Sequence, residues 1–254
     1  HSGAGLYDFE SDFSKAYEGY REGCYLVLDA VQKLGEDSLP GMIVDYAQKS
    51  FLQSWKSKLK GSISRRYYKG TAGLALSVLR QQDVAMLFEA SAPVVKQLKE
   101  AARKLSQEGA KVRVLAEDSY EHLFTRLPNQ RFSKRALIVI DPAYDSITSR
   151  STWNMYLLWS LFLKFPRACI TLWFPIYEGR PHEEELYALT KQIPFNCDVL
   201  AVEMGCGDVT GPRMSRSGVL LFRPPPGIAE ELEEALPVLA KILDPYGKWG
   251  AEPP

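Results

Sequence analysis

The chain has 254 residues, in which 31 lysines and arginines balance 31 aspartates and glutamates, so it lacks the global positive charge that binds nucleic acid without a local patch. Its four cysteines, Cys24, Cys169, Cys197 and Cys206, show no C-x-x-C or C-x-x-H spacing, which argues against a zinc site or a disulfide framework and for a reducing compartment. The most apolar stretch, Asn154 to Phe165, is too short and interrupted to span a bilayer, and the first residues resemble neither a signal nor a transit peptide, so a soluble, non-secreted protein without a membrane partner is expected.

The length suits one large α/β domain, over 1–254, with a substantial core. The chain begins on His1 rather than methionine, and residues upstream are expected. After HSGAG, helical periodicity fills FSKAYEGYREGCYLVLDAVQKL and, past the break at Ser38-Leu39-Pro40, LPGMIVDYAQKSFLQSWKSKL. These two stretches predict a helical insertion over 9–60. SRRYYKGTAGLALSVLRQQD reads as a loop leading into a helix, and VAMLFEAS as a strand ending on Glu89. Pro93 then opens a helix that Gly109 terminates. VRVLAED is a strand ending on Asp118, and ALIVID a buried strand ending on Asp141. Beyond it the pattern gives a helix around Trp153 to Phe165, a strand ACITLWFPIY, a helix from Glu183 to Gln192, strands DVLAVEMG and GVLLFRPPP, and a terminal helix AEELEEALPVLAKIL. Alternating strands and helices predict a mostly parallel sheet covered on both faces, finished by a C-terminal antiparallel hairpin.

The acids are placed where chemistry is expected. In open α/β sheets ligands sit beyond the carboxyl ends of strands, and Glu89, Asp118 and Asp141 all end apolar runs. Strands containing Leu87, Leu115 and Ile138, lying side by side, would bring the three to one edge. The turn Ser2-Gly3-Ala4-Gly5 lets a backbone approach a ligand closely, and an acid at the end of a neighbouring strand accepts hydrogen bonds from ribose hydroxyls. The full phosphate-binding spacing G-x-G-x-x-G is absent, so a cofactor with an adenosine and no pyrophosphate, S-adenosylmethionine, fits better than a dinucleotide. The bland alternative is that such carboxylates cap the following helix or face water.

Asp141-Pro142-Ala143-Tyr144 points further. The amino group of an aromatic base is a poor nucleophile because its lone pair is delocalised. An enzyme that methylates it needs acceptors that hold its protons and aim its nitrogen, roles open to the Asp141 carboxylate and the Pro142 carbonyl, with Tyr144 stacking on the base. An Asp-Pro turn with Tyr144 as packing is the structural alternative.

With these pieces in order, the chain resembles the RlmJ-type family of 23S ribosomal RNA adenine-N6 methyltransferases. The residues that carry the likeness are HSGAGLYD, RRYYKGT with LRQQD, LFEAS, AEDSY, ALIVIDPAY, LWFPIY, and the late RMSRSGVLLFRPPP with ALPVLAKIL. The resemblance implies a Rossmann-like class I methyltransferase fold with a small helical insertion, and a first β-strand that is missing from this chain. It implies that His1, Gly3, Gly5, Thr71, Glu89, Asp118 and Ser119 bind the cofactor, with Ser119 replacing the usual glycine. It implies Asp141, Pro142 and Tyr144 as the catalytic residues, with Ala143 in place of the family's second proline. That departure loosens the turn which aims the acceptor carbonyl.

The densest basic cluster, Arg65 and Arg66 with Lys56, Lys58 and Lys60, beside Tyr67 and Tyr68, is the candidate for RNA phosphate contact; the alternative is a solvated helix end. Trp153, Trp159 and Trp173 read as core. No metal is expected. The leading expectation is methyl transfer to N6 of an adenine in large-subunit ribosomal RNA, free or in a ribosome assembly intermediate, with other ribosome-associated proteins as further partners. It would act in the bacterial cytoplasm or, in a eukaryote, the mitochondrion. Two alternatives stand beside it: a catalytically weakened relative acting as an assembly or structural factor in a ribosomal particle, and a DNA adenine methyltransferase.

Overall fold

The computed structural model describes residues 2–17, 19–53, 63–126, 136–142, 147–177, 191, 197–205 and 214–244. They fall into two compact units, the first built from 1–119 and 231–243 and the second from 120–230 and 244–254.

In the first unit β1 (Leu6–Asp8) leads into α1 (Asp12–Tyr17), a 3-10 turn at Gly19–Arg21, α2 (Cys24–Leu34), a second 3-10 turn at Glu36–Ser38 and α3 (Gly41–Ser50). Pro40 stands just before α3, where its fixed φ and missing N–H cost the helix nothing. The helical expectation for this stretch fails at its end. From Phe51 the chain turns into β2 (Phe51–Gln53), and β3 (Ile63–Lys69) replaces the expected loop. Strand β3 lies between β1 and β2, antiparallel to both. Three-residue strands are too short to show an alternating pattern, which is why β1 and β2 escape a periodicity search.

The helical block has its own core, in which Phe9, Val27, Leu28, Val31, Ile43, Ala47 and Phe51 are buried together with Ala235 of the last helix. Burial pushes the Cys24 thiol at its margin up to about 11, so it stays protonated and acts as packing. Next come α4 (Thr71–Val78), β4 (Val84–Phe88), α5 (Ala92–Leu105) and β5 (Lys111–Leu115). Strands β4 and β5 pair in parallel with Phe88 opposite Leu115, as a βαβ unit requires. Pro93 sits in the first turn of α5. The helix stops at Leu105, four residues short of Gly109, where Ser106 turns its N–H and hydroxyl back on the Ala102 carbonyl. Gly109, at φ +88°, serves the turn into β5 instead. Leu76, Leu87 and Leu98 fill the space between these elements.

The second unit holds α6 (Ser119–Arg126) from Tyr120 onward, β6 (Leu137–Ile140), α7 (Ile147–Lys164), β7 (Cys169–Tyr177), β8 (Val199–Gly205) and β9 (Met214–Phe222), with α8 (Ile228–Leu243) beginning here and ending in the first unit. Its sheet runs β6-β7-β9-β8. Strand β6 is parallel to β7, and β9 is antiparallel to both neighbours, giving the expected C-terminal hairpin. Gly218 stands opposite Phe174, where a Cβ would lie 2.3 Å from the Phe174 ring; the glycine makes room for the aromatic. Phe162 meets Phe222 edge to face at 5.3 Å. The expectation of three adjacent parallel strands needs correction. Strand β6 pairs with β7 and hydrogen-bonds to neither β4 nor β5 among the described residues. Trp159 is also not core, being 44% exposed on α7, since a helix packed by one face leaves the other in water. Most of the expected helix at Glu183–Gln192, and Trp153's side chain, lie outside the described residues.

Leu98 is fully buried between α4 and α5. Replacing it with alanine should destabilise the protein by about 2–5 kcal/mol, with the midpoint of urea unfolding as the measurement.

Candidate active site

The N-terminal turn is bolted to the end of β4 by its own backbone. Ser2 N–H donates to the Phe88 carbonyl at 2.8 Å, and Gly3 N–H donates to Glu89 Oε2 at 3.0 Å. Ser91 N–H donates to Glu89 Oε1 at 2.9 Å, while Glu89 N–H donates to the Leu115 carbonyl and carries the β4–β5 pairing past Phe88. Glu89 is only 8% exposed. A carboxylate removed from water to this extent needs donors, and the backbone supplies one to each oxygen. A carboxylate has roughly four acceptor sites, so capacity for hydroxyl donors is left over.

The glycines explain how the turn comes so close. Gly3 and Gly5 have φ values of +64° and +72°, in the left-handed region that a side chain disfavours. The Gly5 carbonyl accepts the Gly70 N–H at 3.1 Å, and a Cβ on Gly73 would stand 2.0 Å from that same oxygen. The start of α4 therefore lies against the glycine turn, with Thr71 exposed on its first residue. Sequence reasoning found Gly3, Gly5 and Thr71 but missed Gly70 and Gly73. The signal was the pair of glycines three apart in Gly-Thr-Ala-Gly.

Because β4 and β5 run parallel and in register, Glu89 and the Asp118-Ser119 pair leave the sheet at the same edge. Ser119 opens α6, and both residues are half-buried. This edge thus combines a glycine turn, a clamped acid and a second acid. The arrangement suits an adenosine, offering acceptors for hydroxyls and a close backbone.

In the second unit Asp141 and Pro142 follow the last residue of β6, beyond the carboxyl end of the β6–β7 parallel pair. Pro142 is buried and Asp141 exposed. Partial desolvation nonetheless raises the Asp141 carboxyl above its ordinary value of 3.8. His1, Ala143, Tyr144, Lys56, Lys58 and Lys60 lie outside the described residues.

Arg65 and Arg66 are exposed on β3, but their charges are partly matched. Arg65 pairs with Asp29 and donates to Gln32 at 3.0 Å; Arg66 grips Asp8 through two nitrogens, at 3.0 and 2.7 Å, and reaches Glu10 at 2.8 Å. The Arg66 guanidinium holds the Asp8 carboxyl below the usual range. No helix among the described residues is long and apolar enough to cross a membrane, and no cluster of three metal-ligating residues occurs among them.

Against known proteins, the family model described as "Ribosomal RNA large subunit methyltransferase D, RlmJ" matches residues 1–252. The Ribosomal RNA large subunit methyltransferase J of Haemophilus influenzae is 25% identical over 266 residues, covering 99% of this chain and 84% of the relative. Its Escherichia coli counterpart is 26% identical over 254 residues, covering 97% of this chain and 81% of the relative. A crystal structure of a Legionella pneumophila protein, 24% identical, superposes over 97% of this chain and 83% of its own with a TM-score of 0.77, a likeness of fold.

Two outcomes check the geometry. Gly73→Ala drives a Cβ into the Gly5 carbonyl and should cost at least about 1–3 kcal/mol in unfolding free energy, whereas Gly35→Ser, where no atom stands within 4 Å of a Cβ, should show only the strain of its φ of +84°. The raised Asp141 carboxyl holds its proton more tightly in the folded chain than in the unfolded one. Its contribution to stability is therefore full below the unfolded value and lost as pH rises through the folded one. Asp141→Asn should raise the melting temperature slightly at pH 7 and leave it unchanged at pH 3.

Proposed function

The chain belongs to the RlmJ family of ribosomal RNA large subunit methyltransferases, and on that premise we propose that it methylates the N6 amino group of an adenine in large-subunit ribosomal RNA. Methyl transfer to ribosomal RNA, a Rossmann-like class I fold and S-adenosylmethionine as the cofactor come with the family. The choice of adenine N6, the residue roles and the reading of 1–254 as one methyltransferase domain with a helical insertion over 9–60 are ours. Bacterial relatives favour the cytoplasm, where the RNA or a ribosome assembly intermediate would be met.

The observation that carries the reading is the buried Glu89 carboxylate, fixed by Gly3 and Ser91 with acceptor capacity to spare. S-adenosylmethionine, when bound, supplies an electrophilic methyl group. Glu89 accepts hydrogen bonds from its ribose hydroxyls, Gly3 and Gly5 allow close approach, and His1, Thr71, Asp118 and Ser119 complete the contacts. Asp141 and the Pro142 carbonyl accept from the two protons of the target amine. That holds the amine in place and returns electron density to a nitrogen whose lone pair is otherwise spent on the ring. Asp141, already accepting from the amine, would take up the proton the amine gives up when it is methylated. Tyr144 stacks on the base, and Arg65, Arg66, Lys56, Lys58 and Lys60 meet phosphates.

Two substitutions separate the roles. Glu89→Ala should weaken cofactor affinity, read by calorimetric titration, because its hydrogen bonds already exist in the ground state. Asp141→Ala should leave folding and that affinity near wild type and lower transfer of labelled methyl to unmodified large-subunit RNA by about 10²-fold or more. Comparable activity in the Asp141 variant would defeat the mechanism. Because Asp141 must be ionised to accept, wild-type activity should fall on the acid side at a pH above that of an ordinary aspartate. Ala143→Pro should raise the rate; a wild type that binds cofactor yet stays inactive with or without this change would favour the assembly-factor reading.

A further inference from the structure

A half-open cleft of about 270 Å³ lies in the first unit between its helical block and β3, and its wall includes Phe9, Tyr20, Tyr25, Arg21, Arg65 and Arg66. Its rings are ordered against one another. Phe9 and Tyr20 stack with centroids 4.2 Å apart and planes within 11°, and Tyr25 stands edge-on to both at 5.4 and 5.0 Å. The guanidinium groups share this order: Arg21 lies 5.7 Å from the Tyr20 ring centre and Arg65 5.7 Å from that of Tyr25. Backbone contacts set the frame. Phe9 N–H donates to the Arg66 carbonyl, extending the β1–β3 pairing, and the Tyr25 hydroxyl donates to the Arg65 carbonyl at 2.8 Å.

Flat faces, flat cations and a volume at the small end of ligand pockets together describe a seat for one planar ring carrying a phosphate. Lys15 adds a fourth cation to the wall, and Glu10 is the one carboxylate among the described residues that line it. A carboxylate beside stacked rings accepts from an exocyclic amino group, as acidic side chains do from cytosine. An acidic peptide would meet the cations without using the rings.

We propose that this recess is an auxiliary RNA site that seats one unstacked nucleotide of the substrate strand, base against the aromatic cluster and phosphate on the cations, with preference for a base bearing an amino group. The inference rests on the reading of the protein as a ribosomal RNA methyltransferase and adds a substrate contact separate from the Glu89 edge and from Asp141-Pro142. Arg65 enters it as a group whose exposed ion pair with Asp29 can be exchanged for phosphate, while Arg66, gripped by Asp8 and Glu10, frames the wall.

The test uses the full chain with Tyr20→Leu, with Arg21→Gln, and with Tyr20→Phe as the conservative control. Affinity for unmodified large-subunit RNA is measured by fluorescence anisotropy over a range of salt, and methyl transfer and cofactor affinity are measured separately. Each of the first two variants should weaken RNA binding about five- to tenfold, raising KM for RNA with kcat and cofactor affinity unchanged. Tyr20→Phe should bind as wild type. The Arg21 variant should also flatten the salt dependence, by about 0.7 in log–log slope for each phosphate no longer neutralised. RNA affinity and salt slope equal to wild type in both variants, with melting temperatures intact, would overturn the site. Because binding is read directly, loss of RNA affinity in the variants would uphold the recess even if the wild type transferred no methyl group to this RNA, an outcome that would fall on the enzymatic reading alone.

Discussion

The first unit is organised around one buried carboxylate. Glu89 cannot lie 8% exposed at the end of β4 unless N–H donors reach it, and the two that do come from opposite directions in the chain. Ser91 reaches back from the start of α5, so the strand-to-helix turn is closed by the acid itself. Gly3 arrives from the chain's first residues and is held there because Ser2 bonds to Phe88. Once the turn is pinned at Gly3, Gly5 needs its positive φ to continue into β1, and its carbonyl then sits where only a glycine at position 73 allows α4 to pack. A single solvation requirement thus links three glycines, Gly3, Gly5 and Gly73, across 70 residues of sequence.

Asp141 shows the opposite use of an acid. Its surroundings disfavour charge, so it lowers the stability of the folded chain at neutral pH rather than adding to it.

Much of this arrangement was legible in the sequence because it depends on local signals. The runs VAMLF, VRVL and LIVI are short, apolar and followed by acids, and a βαβ spacing links the first two. Parallel pairing and a shared edge for Glu89 and Asp118 follow from those facts alone. What escaped notice depends on contacts between distant residues. Strands β1 and β2 have three residues each, too few for a period, and exist because β3 lies between them. The end of α3 gives no sign in the pattern, because Phe51 keeps the i, i+4 spacing of Ile43 and Ala47 and is buried in the same core whether the chain stays helical or, as here, turns into β2. Gly73 has no unusual φ to betray it; its reason is the Gly5 carbonyl, far away in the chain. Trp159 was misplaced because composition cannot tell which face of α7 meets the sheet.

The aromatic cluster around Phe9 ties fold to function in another way. Its inner members, Phe9 and Phe51, are buried, while Tyr20 stacks on Phe9 and Tyr25 stands edge-on to both, each half-buried at the margin. Buried rings therefore fix the outer ones at little entropic cost, and Arg65 on β3 is held beside the Tyr25 ring by Asp29 on α2. On the proposed reading, this ordered margin would be pre-shaped for a flat, anionic partner. Pre-shaping matters here because the net charge of the chain is zero, so long-range attraction contributes little to RNA binding and local geometry must supply the affinity.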